Sequence, residues 1–522
     1  MVLTFCGQNY SLLQVTNATP EEMAVIKQAV TEKVNRYVSR KYDNWNGDVS
    51  MCWWVEPYFY IPAACWKRID NLRYPDEQSY RPAYVVEFRD ADKFFNMSID
   101  RDTIADFVAT LHPAFSDIED QITVLWTMLQ YRMSSHCIST GFGKTYVCYL
   151  LAQYTKQILD GKTLLITPRV ALVEQGIADM HNYMQTIEAS MHLKCYGICG
   201  GFANNCAFED ADLYIGTYQS IVNMPEDMFH AVTTVIADEG HSAKAISVRD
   251  SISKCKNAQI VTAISGTMQY VSGADALTIE QFCGPMITNY PAYKQIEKGR
   301  LPRIAMQQII LQHTDGKALY QQMLEQQRLP APTTGYPPEL ASTYRPIEMQ
   351  YLGTNLHLLN YILQLCKMLT DQGKNVLVIF KHRQPTVNLF ELAKANGQKC
   401  HLIFGSTPRQ TRAEIKQQIE TEHGWILVAT DGVFAMGVSI NNLHGLIISM
   451  IGHSPHVVLQ SIGRMLRNHP DKFDVTVCYD IVNDFRQIGT SFDYDNGKER
   501  KRYYEAEQHP CYPVQTRLDI NY

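Results

Sequence analysis

A chain of 522 residues with 46% hydrophobic content is long for one core and reads as about two to four globular domains. Its net charge of −6 lacks the basic excess of many nucleic-acid binders, so such a partner would have to sit in a local groove. No run approaches the roughly 20 apolar residues of a membrane span, and Met1 to Tyr10 has no basic start. The 14 cysteines therefore read as reduced thiols of a cytoplasmic protein that does not use a membrane.

The first segment, 1–110, is rich in aromatic residues, with Trp45, Trp53, Trp54, Tyr58, Phe59, Tyr60 and Trp66 close together. Thr19-Pro20-Glu21-Glu22 is a helix-start signal, and the pattern predicts a helix from about Pro20 to Arg40 with strands beside it. A small α+β domain follows from this. It is a surface for gripping nucleic acid or a core built on tryptophans, and both readings stand.

Next comes Ser139-Thr140-Gly141-Phe142-Gly143-Lys144-Thr145. Glycines here let backbone N–H groups close around phosphate oxygens. Lys144 then neutralises the β- and γ-phosphates, and the Thr145 hydroxyl reaches Mg²⁺. A helix Tyr146–Ile158 is expected to follow, with its N-terminus toward the anion. The strict phosphate-loop pattern asks for glycine at position 138, where this chain has Ile138.

Further on, short apolar runs alternate with helical patterns. They are Thr163–Thr167, Val232–Ala237, Ile260–Ile264, Val376–Phe380, Trp425–Ala429, Leu446–Ser449 and Val475–Ile481. Such runs mark parallel strands buried on both faces, and a proline-rich stretch from Leu329 to Pro346 separates two groups of them. The fold class is α/β, with two doubly wound parallel-sheet domains behind the small α+β domain. The boundaries read are 1–110, 111–295 for the nucleotide-binding domain, 296–345 as a linker, 346–488 for the second domain, and 489–522 as a tail packing back on it.

Asp238-Glu239-Gly240-His241 closes one of the runs. Carboxylates at a strand's C-terminal end sit where ligands bind in open α/β sheets. Asp238 is read as the Mg²⁺ holder, Glu239 as the group that polarises attacking water, and His241 as a link to a nucleic-acid cleft. His192, Cys195, Cys199 and Cys206 fit no common zinc spacing and read as buried thiols. In Gln460-Ser461-Ile462-Gly463-Arg464-Met465-Leu466-Arg467, the two arginines are three apart and would share a helix face, aimed at a transferring γ-phosphoryl group. Near the end, Lys498-Glu499-Arg500-Lys501-Arg502-Tyr503-Tyr504 is a basic–aromatic cluster that reads as a nucleic-acid contact or as a solvated helix face.

Residues 115–485 resemble the superfamily 2 helicases, with the motifs in order. They are Ser139–Thr145, Thr167–Gln175, Ile215–Ser220, Asp238–His241, Ser265-Gly266-Thr267, Val376–His382, Ala429–Gly437 and Gln460–Arg467. Within that superfamily the chain looks most like the tailed-phage UvsW-type helicases, on Phe380-Lys381-His382, Gly432-Val433-Phe434, Asn442-Leu443-His444, Val458–Arg464 and Asn44-Trp45-Asn46-Gly47. The resemblance implies RecA-like domains with ATP bound in a cleft between them. It assigns the nucleotide to Gln121, Thr140, Gly141, Phe142, Gly143, Lys144, Thr145, Asp238 and Gly437, with Glu239, Arg464 and Arg467 as catalytic partners. It assigns strand contacts to Pro168, Arg169, Thr217, Gln219, His382 and Thr430, and coupling to His241, Ser265, Thr267 and Gln460. Gly201 fits a phosphate-contacting turn or a plain tight turn. Ser439 stands where many members carry aspartate. The implied activity is ATP-driven remodelling of branched or forked DNA by a monomer in the host cytoplasm. A helicase on RNA or transcription complexes and a nucleotide-gated clamp are the rival readings.

Overall fold

The computed structural model describes residues 1–6, 12–33, 48–55, 58–73, 84–91, 95, 98–112, 117–313, 322–326, 328–329, 341–431, 440–467, 469–472, 475–486 and 491–518. The chain divides into two compact units, Met1–Ser139 with Gly143–Tyr290, and Pro291–Tyr522 with Thr140–Phe142.

The first unit opens with β1 (Val2–Cys6), β2 (Leu12–Thr16), β3 (Thr31–Lys33), β4 (Asp48–Ser50), β5 (Trp53–Val55), β6 (Tyr58–Pro62) and β7 (Glu87–Arg89). Five of these form a mixed sheet, β5-β6-β2-β1-β7, and β3 pairs with β4. The helix Pro20–Ala29 starts where expected, on a complete capping box between Thr19 and Glu22. It is shorter than the sequence pattern implies. Thr31–Lys33 leaves it to pair antiparallel with Asp48–Ser50, so β pairing takes over from helix. Trp45 and the run Asn44–Gly47 lie outside the described residues. Leu3, Phe5, Leu13, Ile26, Phe59 and Ile61 build this small core, and Leu277 from the helix Gly273–Cys283 completes it.

The second sheet of this unit has seven parallel strands in the order β10-β11-β9-β12-β13-β8-β14. They are β8 (Met133–Ile138), β9 (Lys162–Thr167), β10 (Cys195–Ile198), β11 (Leu213–Thr217), β12 (Val232–Asp238), β13 (Ile260–Ser265) and β14 (Met286–Tyr290). β8 is polar in sequence yet buried. Ser135 Oγ donates to the Gly284 carbonyl at 2.8 Å, and His136 lies 2.9 Å from Ser134 Oγ and 2.8 Å from Thr288 Oγ1. Those bonds satisfy groups that would otherwise be costly to bury.

The second unit carries its own seven parallel strands in the order β17-β18-β16-β19-β20-β15-β21. They are β15 (Arg303–His313), β16 (Val376–Phe380), β17 (Cys400–Ile403), β18 (Ile426–Thr430), β19 (Gly445–Ser449), β20 (Val475–Asp484) and β21 (Cys511–Leu518). Along β16, Val376, Val378 and Phe380 enter one core while Leu377 and Ile379 enter the other. A strand covered on both faces has to be apolar throughout.

Residues 303–313, inside the stretch expected as a linker, form the interior strand β15. The expected tail supplies the helix Phe492–Ala506 and the edge strand β21, which pairs parallel with β15. Pro513 is tolerated there because an edge strand has one unpaired side. The basic–aromatic cluster is a solvated face only in part, with Lys498 and Arg502 exposed. Arg500 and Tyr504 are fully buried, and both bond Asp480 of β20.

Candidate functional site: the strand ends of the two large sheets

In the first unit, the predicted residues gather at the C-terminal ends of adjacent strands. Loop Ser139–Gly143 joins β8 to the helix Lys144–Gln157, which starts two residues earlier than expected. Gly141 has φ +85° and Gly143 φ +97°, and Gly143 is the helix N-cap in the left-handed region. A side chain is disfavoured at both, so the turn into the helix calls for glycine at these two positions. Phe142 is buried beside them. Gln121, on the helix Glu119–Gln130, is buried with its Nε2 3.5 Å from the position of a Cβ on Gly143. The candidate adenine reader thus packs on the phosphate loop.

Asp238 ends β12, with Ile264 of β13 opposite, while Ser265 is opposite Cys137 of β8. This register brings the acidic box, the Ser-Gly-Thr motif and the phosphate loop side by side. Burial pushes the Asp238 carboxyl above its usual range and the Glu239 carboxylate adds to that, while the Lys144 ammonium pulls it back. Glu239 has φ +51°, uncommon for a residue with a side chain, and its N–H donates to Asp238 Oδ1 at 3.0 Å. Gly240 next to it is closely packed. A Cβ there would lie 2.7 Å from Ala263 Cβ and 2.9 Å from Met268 Cε.

The coupling candidates touch. His241 Nδ1 is 2.9 Å from Ser265 Oγ and 3.5 Å from Glu239 Oε2. Ser265 Oγ accepts from the Thr267 N–H at 3.3 Å. A Cβ on Gly266 would sit 3.3 Å from the Ile138 carbonyl and 3.7 Å from Lys144 Nζ, so this motif backs directly onto the phosphate loop.

The other half of the same edge carries the candidate strand contacts. Thr217 of β11 is paired with Thr167 of β9, and Pro168 and Arg169 follow directly. Arg169 is the N-cap of the helix Val170–Tyr183. Burial lowers its guanidinium, and the charge of Glu239 offsets part of that, so a strand-contact candidate feels the catalytic candidate. Thr217 Oγ1 donates to Ser220 Oγ at 3.0 Å, and Gln219 is exposed. Gly201, beyond β10, has φ +76° with open space around it. Cys195 is a buried thiol pushed up to about 12 by burial, and Cys206 Sγ donates to its carbonyl at 3.6 Å.

In the second unit, Phe380 and Thr430 are paired at the ends of β16 and β18, and His382 is the N-cap of the helix Arg383–Ala395. Gln460 and Arg464 lie on the helix Pro455–Met465 and are half-buried. Arg467 falls past that helix's end, so the shared helical face expected for the two arginines is not formed. Lys472 shapes the end of the helix instead. Its ammonium donates to the carbonyls of Met465 and, at 2.9 Å, Arg467. Burial and the neighbouring Arg467 push Lys472 down to about 8. Sequence reading passed over Lys472, although a cation just beyond a helix end is the signal for this kind of cap. Gly437 and Ser439 lie outside the described residues. Among the described residues, no helix is long and apolar enough to cross a membrane.

Comparison with known proteins agrees with this layout. The DEAD/DEAH box helicase model matches residues 118–273, and the helicase conserved C-terminal domain model matches residues 358–469. The ATP-dependent DNA helicase UvsW of Enterobacteria phage T4 is 27% identical over 348 residues, which is 66% of this chain and 64% of that protein's own length. The crystal structure of T4 UvsW aligns over 99% of both chains at 19% identity with a TM-score of 0.46. A fragment of a putative HsdR subunit of a type I restriction enzyme from Vibrio vulnificus YJ016 shares the fold, at 13% identity over 81% of this chain and 72% of that one, TM-score 0.53. With one helicase model matched in each unit and its motifs standing on the strand ends, the chain belongs to the superfamily 2 helicases and is similar to UvsW.

Proposed function

We propose that the protein is an ATP-dependent DNA helicase that remodels branched or forked DNA, working as a monomer in the cytoplasm of an infected host cell. The observation that carries this reading is the single strand-end edge of the first unit. There β8, β13 and β12 bear phosphate and carboxylate chemistry, and the neighbouring β9, β11 and β10 bear small polar groups and an arginine. Lys144 neutralises the β- and γ-phosphates, and Gln121 reads the base. The Thr145 hydroxyl and Asp238 carboxylate suit a hard, oxygen-liganded cation such as Mg²⁺, which when bound neutralises phosphate charge. Glu239 orients and polarises the attacking water, and Arg464 and Arg467 act on the γ-phosphoryl charge of the same nucleotide. Thr140, Gly141, Phe142, Gly143 and Gly437 complete the nucleotide set.

Pro168, Arg169, Gly201, Thr217, Gln219, His382 and Thr430 hold a strand through its backbone, which makes translocation tolerant of sequence. His241, Ser265, Thr267 and Gln460 link the two tasks. DNA is favoured over RNA because UvsW is named a DNA helicase.

The test is ATP hydrolysis and strand separation on forked DNA, a four-way junction, a DNA–RNA hybrid and duplex RNA side by side. The reading expects stimulation and remodelling on the branched DNAs. Activity on duplex RNA alone replaces it with an RNA helicase. Binding without stimulated hydrolysis replaces it with a nucleotide-gated clamp.

A further inference from the structure

Three exposed cations and an imidazole of the second unit lie around the C-terminal edge of its sheet. Lys381, His382 and Arg383 follow β16 directly. The fourth group, Arg345, comes from the helix Ala341–Thr354, ahead of the second unit's own motifs. The two elements pack together: Asn388 Nδ2 donates to the Gly353 carbonyl at 2.9 Å, and Pro385 Cδ lies 3.4 Å from the position of a Cβ on Gly353. Arg345 Nη2 comes within 3.8 Å of the position of a Cβ on Gly452, in the loop after β19. That loop is pinned from below, since buried Arg500 donates to the Gly452 carbonyl at 2.8 Å.

The charges are felt locally. Burial lowers the His382 imidazole, Lys381 and Arg345 lower it further, and Asp431 works the other way. Among the described residues, no carboxylate forms an ion pair with Arg345, Lys381, His382 or Arg383. Arg383 instead lies over the Phe404 ring, 4.5 Å from its centroid. Cations grouped without an ion-paired carboxylate among the described residues repel one another, and a bound anion relieves that repulsion. The N-terminus of the 13-residue helix Arg383–Ala395 adds positive potential at the same spot.

We propose that Arg345 joins Lys381, His382 and Arg383 in a phosphate-binding patch that grips the backbone of a nucleic-acid strand. The proposal deepens the strand-binding reading of His382 and Thr430 and rests on it. What it adds is a contact from a helix outside the motifs. Guanidinium and ammonium groups at a helix N-terminus recognise phosphodiester charge and carry no base information.

The test uses the full chain and a labelled single-stranded oligonucleotide, with affinity followed from about 50 to 200 mM salt. Each lost phosphate contact should lower the magnitude of the log–log salt slope by about 0.7. Arg345→Gln is expected to weaken binding several-fold at low salt and to lower the slope by that amount. Arg345→Lys should keep most of the slope. Lys399→Gln, at an exposed lysine paired with Glu422 where β17 begins, should leave it unchanged. Thermal melts of all variants should match, because Arg345 is exposed. A slope unaltered in Arg345→Gln, with the parent binding normally, overturns the patch alone. Lost affinity for a fluorescent ATP analogue with strand affinity intact overturns it too, in favour of a nucleotide contact. No strand binding by the parent protein overturns the proposed function, and the patch with it.

Discussion

Replacing Arg500 with methionine tests how the second unit is held together. The side chain is fully buried on the helix Phe492–Ala506. Its Nη2 lies 2.8 Å from Asp480 Oδ1, its Nε donates to Asp480 at 3.0 Å, and its Nη1 donates to the Gly452 carbonyl at 2.8 Å. Asp493 Oδ1 is 3.8 Å away. Burial works against the guanidinium charge, and Asp480 and Asp493 overcome it, leaving the group above its ordinary value. Methionine keeps much of the apolar stem and removes the charge. Asp480 retains the Tyr504 hydroxyl and the Gln308 amide, each at 3.0 Å, and neither neutralises it. Removing one partner of a buried pair costs about 3–5 kcal/mol. For a unit of this size, about 2–4 °C per kcal/mol converts this to a fall in Tm of roughly 6–20 °C. Thermal scanning gives the shift. Hydrogen exchange should show it concentrated in β20, β21 and the helix between them. Asp480→Asn in the same chain should restore part of the loss, with a coupling above about 1 kcal/mol. A cost below about 1 kcal/mol, or strict additivity with Asp480→Asn, refutes the argument that this pair carries uncompensated charge when broken.

Glu239→Gln keeps the shape beside His241 and Ser265 but cannot polarise water, so steady-state ATP hydrolysis should fall about 10²–10⁴-fold with an unchanged melting curve; turnover within threefold of the parent would remove Glu239 from the chemistry. Gly240→Ala forces a methyl against Ala263 and Met268 and should cost about 1–3 kcal/mol by overpacking, whereas Gly266→Ala, where the tightest contact is 3.3 Å to a carbonyl, should be far milder; equal denaturation midpoints for the two would contradict this packing. His136 is held down to about 3 by burial, so the unfolded chain takes up its proton first as pH falls below about 6.5. Stability from the neutral ring is therefore complete above that pH and is lost between about 6.5 and 3. The stability gap between the parent and His136→Gln should narrow by about 1.4 kcal/mol per pH unit below pH 6, and a constant gap in urea titrations would show that His136 does not titrate this way.

What the sequence made legible was decided by how local the cause is. The apolar runs of β9, β12, β13, β16, β18 and β19 announce themselves because burial on both faces demands an apolar residue at every position. Gly141, Gly143, Lys144, Asp238 and Glu239 are legible because phosphate chemistry needs those residue types at the ends of such strands. The misses have a common form. β8 reads as polar because its serines and His136 are satisfied by Gly284 and Thr288, some 150 residues away. β15 looks like a linker because Gln308 at its centre is matched only by Asp480 and the Gly497 carbonyl. Arg500 looks like one cation in a solvated run, and the carboxylate it hydrogen-bonds is Asp480 of β20, twenty residues earlier. A polar residue declares its place through its partner, and when that partner is distant in the chain no window of sequence contains both. The same reasoning separates Arg345 from Arg500. Both are arginines on helices, but Arg500 already has its carboxylate, while Arg345, among the described residues, has no ion-paired carboxylate and lies by the strand ends, where the proposed phosphate would be its partner.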